Sequence, residues 1–404
     1  MTTTALIRSS LAVAIASDRF QSLGNDDGSE TIVPGSKIFQ MSGQVLGTCV
    51  GRSGLVGIPY RLVAESIYTA GVSRTPVQDA HFMADHIVPV NMAAGRTIEE
   101  LTQSAVCGLL GTLNDASDGA LFAPFKALSS SPSNKEATKT LKEVVALTKK
   151  FVEALPNDDA LAPFDQAKVK SGLMTMKEPA LIEHVGNDQS LTFDETPELT
   201  EALADIHVLA LTKAFDARDT GILTFAGFGP DQVLPSFATL TVVAAPAGEL
   251  VYSIVDDDPA QNGALARAAT PAQDSAQQQL IHGITHGDSS GFVGLAVTGA
   301  KETFSPSDDK LNDFGSTLES TLTSYFEDTY TTPFLRVIRC LDEPGLARVA
   351  DLLARVQEFR AVASNSQATV GGVIEVATIT KRDGIRWHRR SDTTLDGSGA
   401  SVLG

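Results

Sequence analysis

Runs of alternating apolar residues open and close this 404-residue chain, and helical patterns lie between them. Near the start, Leu11, Val13 and Ile15 alternate with small Ala residues and stop at Ser17-Asp18-Arg19, the period of a strand. A polar connection from Gly24 to Gly35 reads as a long hairpin loop, and two more strands follow at Lys37–Met41 and Val45–Val50. A helix is expected from about Leu55 to Tyr68, and another from Thr97 to Leu113. In the latter, Thr97 and Glu100 have capping-box spacing, and Ile98, Leu101, Ala105 and Leu109 share a face. Strand character returns at Gly221–Phe228, Phe237–Ala245 and Glu249–Val255. Helices are then expected at Pro271–Ile284, Asp309–Thr332 and Leu346–Phe359, and closing strands at Gly372–Thr380 and Gly384–His388.

This order is not the regular βα alternation of a doubly wound sheet. It predicts an α+β chain with two antiparallel sheets stacked face to face and helices outside, a four-layer αββα sandwich. One such domain is expected over residues 1–390, its core at about 1–113 and 198–390. Residues 114–197 differ in composition: a Ser/Pro-rich loop at Ser129–Ser133 precedes an amphipathic stretch marked by Leu141, Val144, Val145, Phe151, Val152 and Leu155. They read as a mainly helical insertion, and residues 391–404 as a flexible polar tail.

Charge and cysteine content narrow the functional classes. Thirty-one Lys and Arg against 49 Asp and Glu give a net charge of −18, with no basic run to hold a phosphate backbone, so a nucleic-acid partner is not expected. No apolar run approaches the roughly 18 residues of a membrane span, and Arg8 interrupts the apolar amino terminus, so neither membrane nor secretion is expected. Cys49, Cys107 and Cys340 lie far apart and form no CxxC motif, which suits a reducing, cytoplasmic setting.

Thr2-Thr3-Thr4-Ala5-Leu6-Ile7, continuing through Leu11–Ala16 to Asp18-Arg19, resembles the opening of mature proteasome β-subunits and of bacterial proteasome-like proteins, which are N-terminal nucleophile (Ntn) hydrolases. The step of 16 residues from Thr2 to Asp18 is the family's own. Ser36-Lys37-Ile38-Phe39 and Val45–Gly51 are similar to the family's lysine strand and the Gly-ended strand after it, again with the family's 14-residue step from Lys37 to Gly51. Gly221–Gly229, Thr369–Val376 and Lys381–Gly384 resemble later strands. The likeness covers about residues 2–70 and 220–390, and is nearest to a poorly characterised bacterial branch.

The resemblance implies a chemistry that is coherent in itself. A threonine hydroxyl needs a base, and a free α-amino group with a pKa near 8 can serve, provided that Met1 is removed and Thr2 becomes the first residue. Lys37 would hold positive charge beside the Thr2 hydroxyl, Asp18 would hold Lys37, and the Gly51 N–H would meet the oxyanion. Arg19 would support the loop, and Cys49 falls where the family lines its nearest pocket. The implied activity is cleavage of an amide, in first place a peptide, with no cofactor or metal, by a chain that self-associates into a ring or a smaller assembly. Two readings compete: a catalytically silent scaffold or binding protein, and a small-amide amidase. The far side of the implied site departs from the family. Gln367 stands where an Asp is usual and Val370 where a Ser is usual, with Ser366 and Thr369 flanking. The remaining family Ser falls near Ala272 or Gln273, with Asp274 and Ser275 the nearest polar residues.

Other motifs carry less. His282 and His286 have the spacing of a metal pair on a helix, but Gly283 stands where a zinc protease has Glu. Asp288 is nearby, and Asp256-Asp257-Asp258 reads as a solvated loop. Gly287-Asp288-Ser289-Ser290-Gly291 matches GxSxG, yet a helix is expected before it and a strand at Phe292–Val297 after it, the reverse of a nucleophile elbow.

Overall fold

In a computed structural model of the chain, the amino-terminal alternation forms two adjacent strands, β1 (Thr4–Arg8) and β2 (Ala12–Ser17). The structure describes residues 3–24, 30–106, 109–128, 133–176, 196–214, 220–257, 259, 264–270, 275–304, 307–363 and 373–390, some of them, including 20–24, 30–34, 286 and 287, by backbone alone. It is a mixed α/β protein, 54% helical and 22% strand, with antiparallel sheets. Two compact units emerge, one of residues 1–38, 226–236 and 258–404, the other of 39–225 and 237–257.

The first unit is built on a five-stranded sheet. Its order is β12 (Arg267–Ala269), β1, β2, β13 (Glu375–Thr380), β14 (Gly384–Arg389). The registers Thr4↔Ser17 and Ser17↔Glu375 tie the first strands to the last. Small side chains on one face, Ala5, Ala12, Ala14 and Ala16, let a long helix (Glu343–Ala363) lie close, and Leu346, Ala350, Leu353 and Ala354 bury against them. Leu6, Val13 and Ile15, of opposite parity in these strands, are also fully buried. A separate hairpin, β3 (Phe20–Gly24) and β4 (Glu30–Pro34), occupies much of what the sequence reads as a loop.

The second unit holds a sheet of order β11 (Val251–Asp257), β10 (Ser236–Ala244), β9 (Gly221–Gly227), β6 (Val45–Gly51), β5 (Ile38–Ser42). Helices α1 (Tyr60–Ile67) and α2 (Pro76–Ala93) cover one core cluster, where Tyr60, Val63, Met83 and Ile87 meet Leu223, Phe225 and Leu240. The helix expected from Leu55 begins five residues later. Val56 and Gly57, at φ 47° and 74°, form a two-residue turn between the short strands Gly54–Leu55 and Ile58–Pro59. Helix α2 was not apparent from the apolar pattern, because Pro89 and Asn91 interrupt it. It starts on a full capping box, Thr75 with Gln78, with Pro76 in its first turn.

The helix expected at Thr97–Leu113 is two, α3 (Ile98–Val106) and α4 (Leu109–Ala116), and the Thr97–Glu100 capping box is formed. Residues expected as a helical insertion carry α5 (Ala123–Lys126), α6 (Asn134–Ala154) and α7 (Gln166–Met174), and the helical run extends into α8 (Pro197–Leu211). These helices share a second apolar cluster that includes Leu141, Val144, Val152, Leu203 and Ile206. The expected strand at Phe292–Val297 is overturned: it lies inside a helix, His286–Phe304. Gly and Ala between the apolar residues imitate a period of two, but Thr285 caps the helix by accepting from the Asp288 N–H at 3.0 Å.

Among the described residues, no helix is long and apolar enough to cross a membrane. Helix α8 buries His207 completely. Its Nδ1 lies 2.7 Å from the Leu203 carbonyl, and its Nε2 has no hydrogen-bond partner among the described residues. Burial pushes the imidazole pKa below its ordinary 6.5, a shift that the Leu203 bond only partly opposes. The native state therefore keeps His207 neutral, and its stability is present above pH 6.5 and lost as pH falls below that value, where the unfolded chain takes up a proton. The expected slope is about 1.4 kcal/mol per pH unit in this window. Denaturant unfolding between pH 5 and pH 7.5 measures it, and His207→Leu should flatten the profile.

Candidate active site

Three consecutive backbone contacts bring the amino terminus and the lysine strand together within the first unit. The Asp18 N–H donates to the Thr3 carbonyl at 3.2 Å, extending the β1–β2 ladder past the end of β2. The Gly35 N–H donates to the Arg19 carbonyl at 2.8 Å. Between these, the β3–β4 hairpin pairs Phe20 with Pro34, so its two ends stay adjacent whatever its length. Lys37 is thus delivered beside Asp18.

The two side chains form a buried ion pair. Lys37 Nζ lies 2.8 Å from Asp18 Oδ1, with 2% and 0% of the respective side chains exposed. The same oxygen accepts from the Thr3 N–H at 2.8 Å. One carboxylate therefore holds both the ammonium and the peptide nitrogen next to residue 2. Such a pair is retained only with well-placed hydrogen bonds, because each charge has been taken out of water.

Further buried polar groups surround this pair. Gln277, fully buried in the helix Ser275–His282, donates from Nε2 to Thr3 Oγ1 and to the Leu353 carbonyl, both at 3.1 Å. Thr4 Oγ1 and Ser17 Oγ lie 3.0 Å apart, and Ser17 also donates to the Thr3 carbonyl at 3.2 Å. Arg19 approaches Glu375, with Nε 3.7 Å from Oε1, while Ser36 donates to the other carboxylate oxygen of Glu375. Glu375 had a visible signal, a lone carboxylate among the apolar residues of the strand expected at Gly372–Thr380. Glu358 had none. Burial raises its carboxyl pKa, Arg355 opposes this, and the Asp18 charge adds to the rise.

Gly51 and Cys49 belong to β6 of the second unit. Gly51 has φ 69°, and a Cβ there would lie 2.4 Å from the Thr220 carbonyl oxygen, which accepts the Arg52 N–H at 3.1 Å. Only glycine fits this bend without strain. Cys49 is buried in the apolar cluster under α1 and α2. Thr2, Ser366, Gln367, Thr369, Val370, Ala272, Gln273 and Asp274 lie outside the described residues, as do Cys107 and Asp258.

The remaining motifs fall elsewhere. GxSxG is overturned as an elbow, since Ser289 sits within the helix His286–Phe304 rather than between strand and helix. His282 Nδ1 lies 2.9 Å from Thr331 Oγ1. Among the described residues, no three His, Cys, Asp or Glu side chains are grouped to hold a metal ion. No protein-family model matches the chain, and no curated protein matches it.

The pair itself is testable without any assay of activity. Asp18→Asn strands the Lys37 ammonium in a buried site and should cost about 3–5 kcal/mol, whereas Asp18→Asn with Lys37→Met should recover a large part of the loss. Urea unfolding of the parent chain and the two variants measures the difference.

Proposed function

We propose that this protein is an N-terminal threonine hydrolase of the Ntn type that cleaves amide bonds, peptides in first place, in the cytoplasm. The observation that carries the reading is the Asp18 carboxylate, which binds Lys37 Nζ and the Thr3 N–H at 2.8 Å each. Thr2 is joined through that same peptide nitrogen. A buried lysine held cationic beside the amino terminus is the electrostatic element that a threonine nucleophile requires. The two five-stranded antiparallel sheets, each with helices packed on it, support the finer reading of a four-layer αββα sandwich.

The proposed reaction begins with removal of Met1. The neutral α-amine of Thr2 takes the proton of its own hydroxyl, and Lys37 stabilises the alkoxide character through its charge. Oγ attacks the substrate carbonyl, and backbone N–H groups stabilise the oxyanion. The leaving amine takes the proton as the C–N bond breaks, giving an ester on Thr2. Water, deprotonated by the same α-amine, then hydrolyses the ester and restores the hydroxyl. Arg19, Glu375 and Ser36 position the loop that carries Lys37. The chemistry serves peptides and small amides alike. Self-association into a ring or a smaller assembly belongs to the same proposal.

A silent scaffold is the second reading. Gln367 and Val370 favour it, because neither can act as the family's Asp and Ser do near the amine.

An electrophilic epoxyketone or β-lactone separates the two. We expect intact-mass measurement to show the chain without Met1 and one adduct mapping to Thr2, lost in Thr2→Ala and at least ~100-fold slower in Lys37→Met. The β-lactone labelling rate should rise with pH and level off above about 8, where the α-amine is neutral. A chain that retains Met1 and takes no adduct would overturn the hydrolase reading and support the scaffold.

A further inference from the structure

A second site lies in the first unit, and the inference from it does not depend on the reaction proposed above. The helix Ser275–His282 turns into the helix His286–Phe304 at Gly283, which has φ 76°. Across from this corner, a helix over Asp308–Phe326 passes through a π-helical turn, Glu327–Thr331, into Thr332–Cys340. Between the two lies a half-open cavity of about 250 Å³.

Its walls are two facing stripes. His282 ends one helix, Thr285 caps the next, and Ser289 lies one turn into it. Thr323, Glu327 and Thr331 come from the opposite helix, each four residues from the last, and Ile284 and Phe326 supply the apolar wall. Two struts hold the stripes apart. His282 Nδ1 meets Thr331 Oγ1 at 2.9 Å, and the Tyr330 ring lies so close over Gly283 that a Cβ there would be 2.5 Å from it. The π turn, a wide form of helix that recurs at binding sites, shapes this wall.

The lining decides the ligand. Glu327 is its one carboxylate, and no Lys or Arg is among its described residues. Four hydroxyls, from Thr285, Ser289, Thr323 and Thr331, and one imidazole supply further hydrogen-bonding groups. An anion would meet no fixed positive charge. A primary ammonium would gain a charge-assisted bond to Glu327 and further acceptors in the hydroxyls, while Phe326 and Ile284 cover a short apolar body. The volume is below the ~300 Å³ at which pockets for drug-sized molecules begin. We propose that this cavity is a binding site for a small primary amine with an apolar body, a use of Ser289 and His282 unrelated to a nucleophile elbow.

Benzylamine, benzyl alcohol and benzoate, nearly equal in size and differing in charge, test the proposal on the full chain. Methyl NMR of Ile284, Thr285, Thr323 and Thr331 reports occupancy directly. We expect saturable shifts with benzylamine at millimolar concentration, at least ~10-fold weaker binding of benzyl alcohol and none of benzoate. Glu327→Gln, at an exposed position that should not disturb folding, should weaken benzylamine about tenfold. Ser289→Leu, which fills the cavity, should abolish the shifts, with circular dichroism verifying that each variant is folded. Benzoate binding as tightly as benzylamine, an unchanged affinity in Glu327→Gln, or no saturable shift in the parent chain would each overturn the assignment.

Discussion

The Asp18 carboxylate is fully buried, and one of its oxygens accepts from two donors of different origin, a lysine ammonium and a backbone N–H. Much of the first unit answers to this arrangement. A buried charge must be compensated on the spot, so Lys37 cannot retreat to solvent, and a slip of Thr3 in register would cost the carboxylate one of its donors. The ladder contact between Asp18 N–H and the Thr3 carbonyl closes the same ring of contacts from the backbone side. The strand end, the amino terminus and the start of the lysine strand are therefore one mechanical object. Gln277 extends it into the helical layer by gripping the Thr3 hydroxyl and the Leu353 carbonyl at once.

The hairpin between Arg19 and Gly35 shows how such a centre tolerates change nearby. Its strands pair from Phe20 with Pro34 to Gly24 with Glu30, so residues added at its tip do not alter the separation of its base. Asp18 and Lys37 are held by that base. A precise pair can accordingly sit beside a connection of variable length.

How much of this was legible in the sequence follows from the range of the interactions. Asp18 and Lys37 stand out only through a spacing that resembles a known family's; strand alternation alone would leave them a turn cap and a solvated charge. The Thr97–Glu100 box was legible because it is complete within four residues. Glu375 announced itself only as a carboxylate in an apolar strand; its partners Ser36 and Arg19 depend on a register more than 300 residues away in the chain. Gln277 and Glu358 carry no local sign, since a polar residue on a helix is ordinarily a solvated one. The segment from Phe292 misled because Gly and Ala among apolar residues fit both periods, and the cap at Thr285 that decides for helix is a single side chain.

The sheet order has a consequence for how the protein is made. Strands β1 and β2 pair with β12 and β13, and β2 leaves the ribosome about 360 residues before its partner β13, so that closing their contact is slow. At ordinary rates of synthesis the amino-terminal strands must wait for tens of seconds with their partners unmade. The second unit, whose residues lie between them in the chain, can complete its own sheet in that interval. Its early completion would shorten the effective loop that the first unit must close. Until then the apolar faces of β1 and β2 lack the helix and strands that bury them in the finished protein.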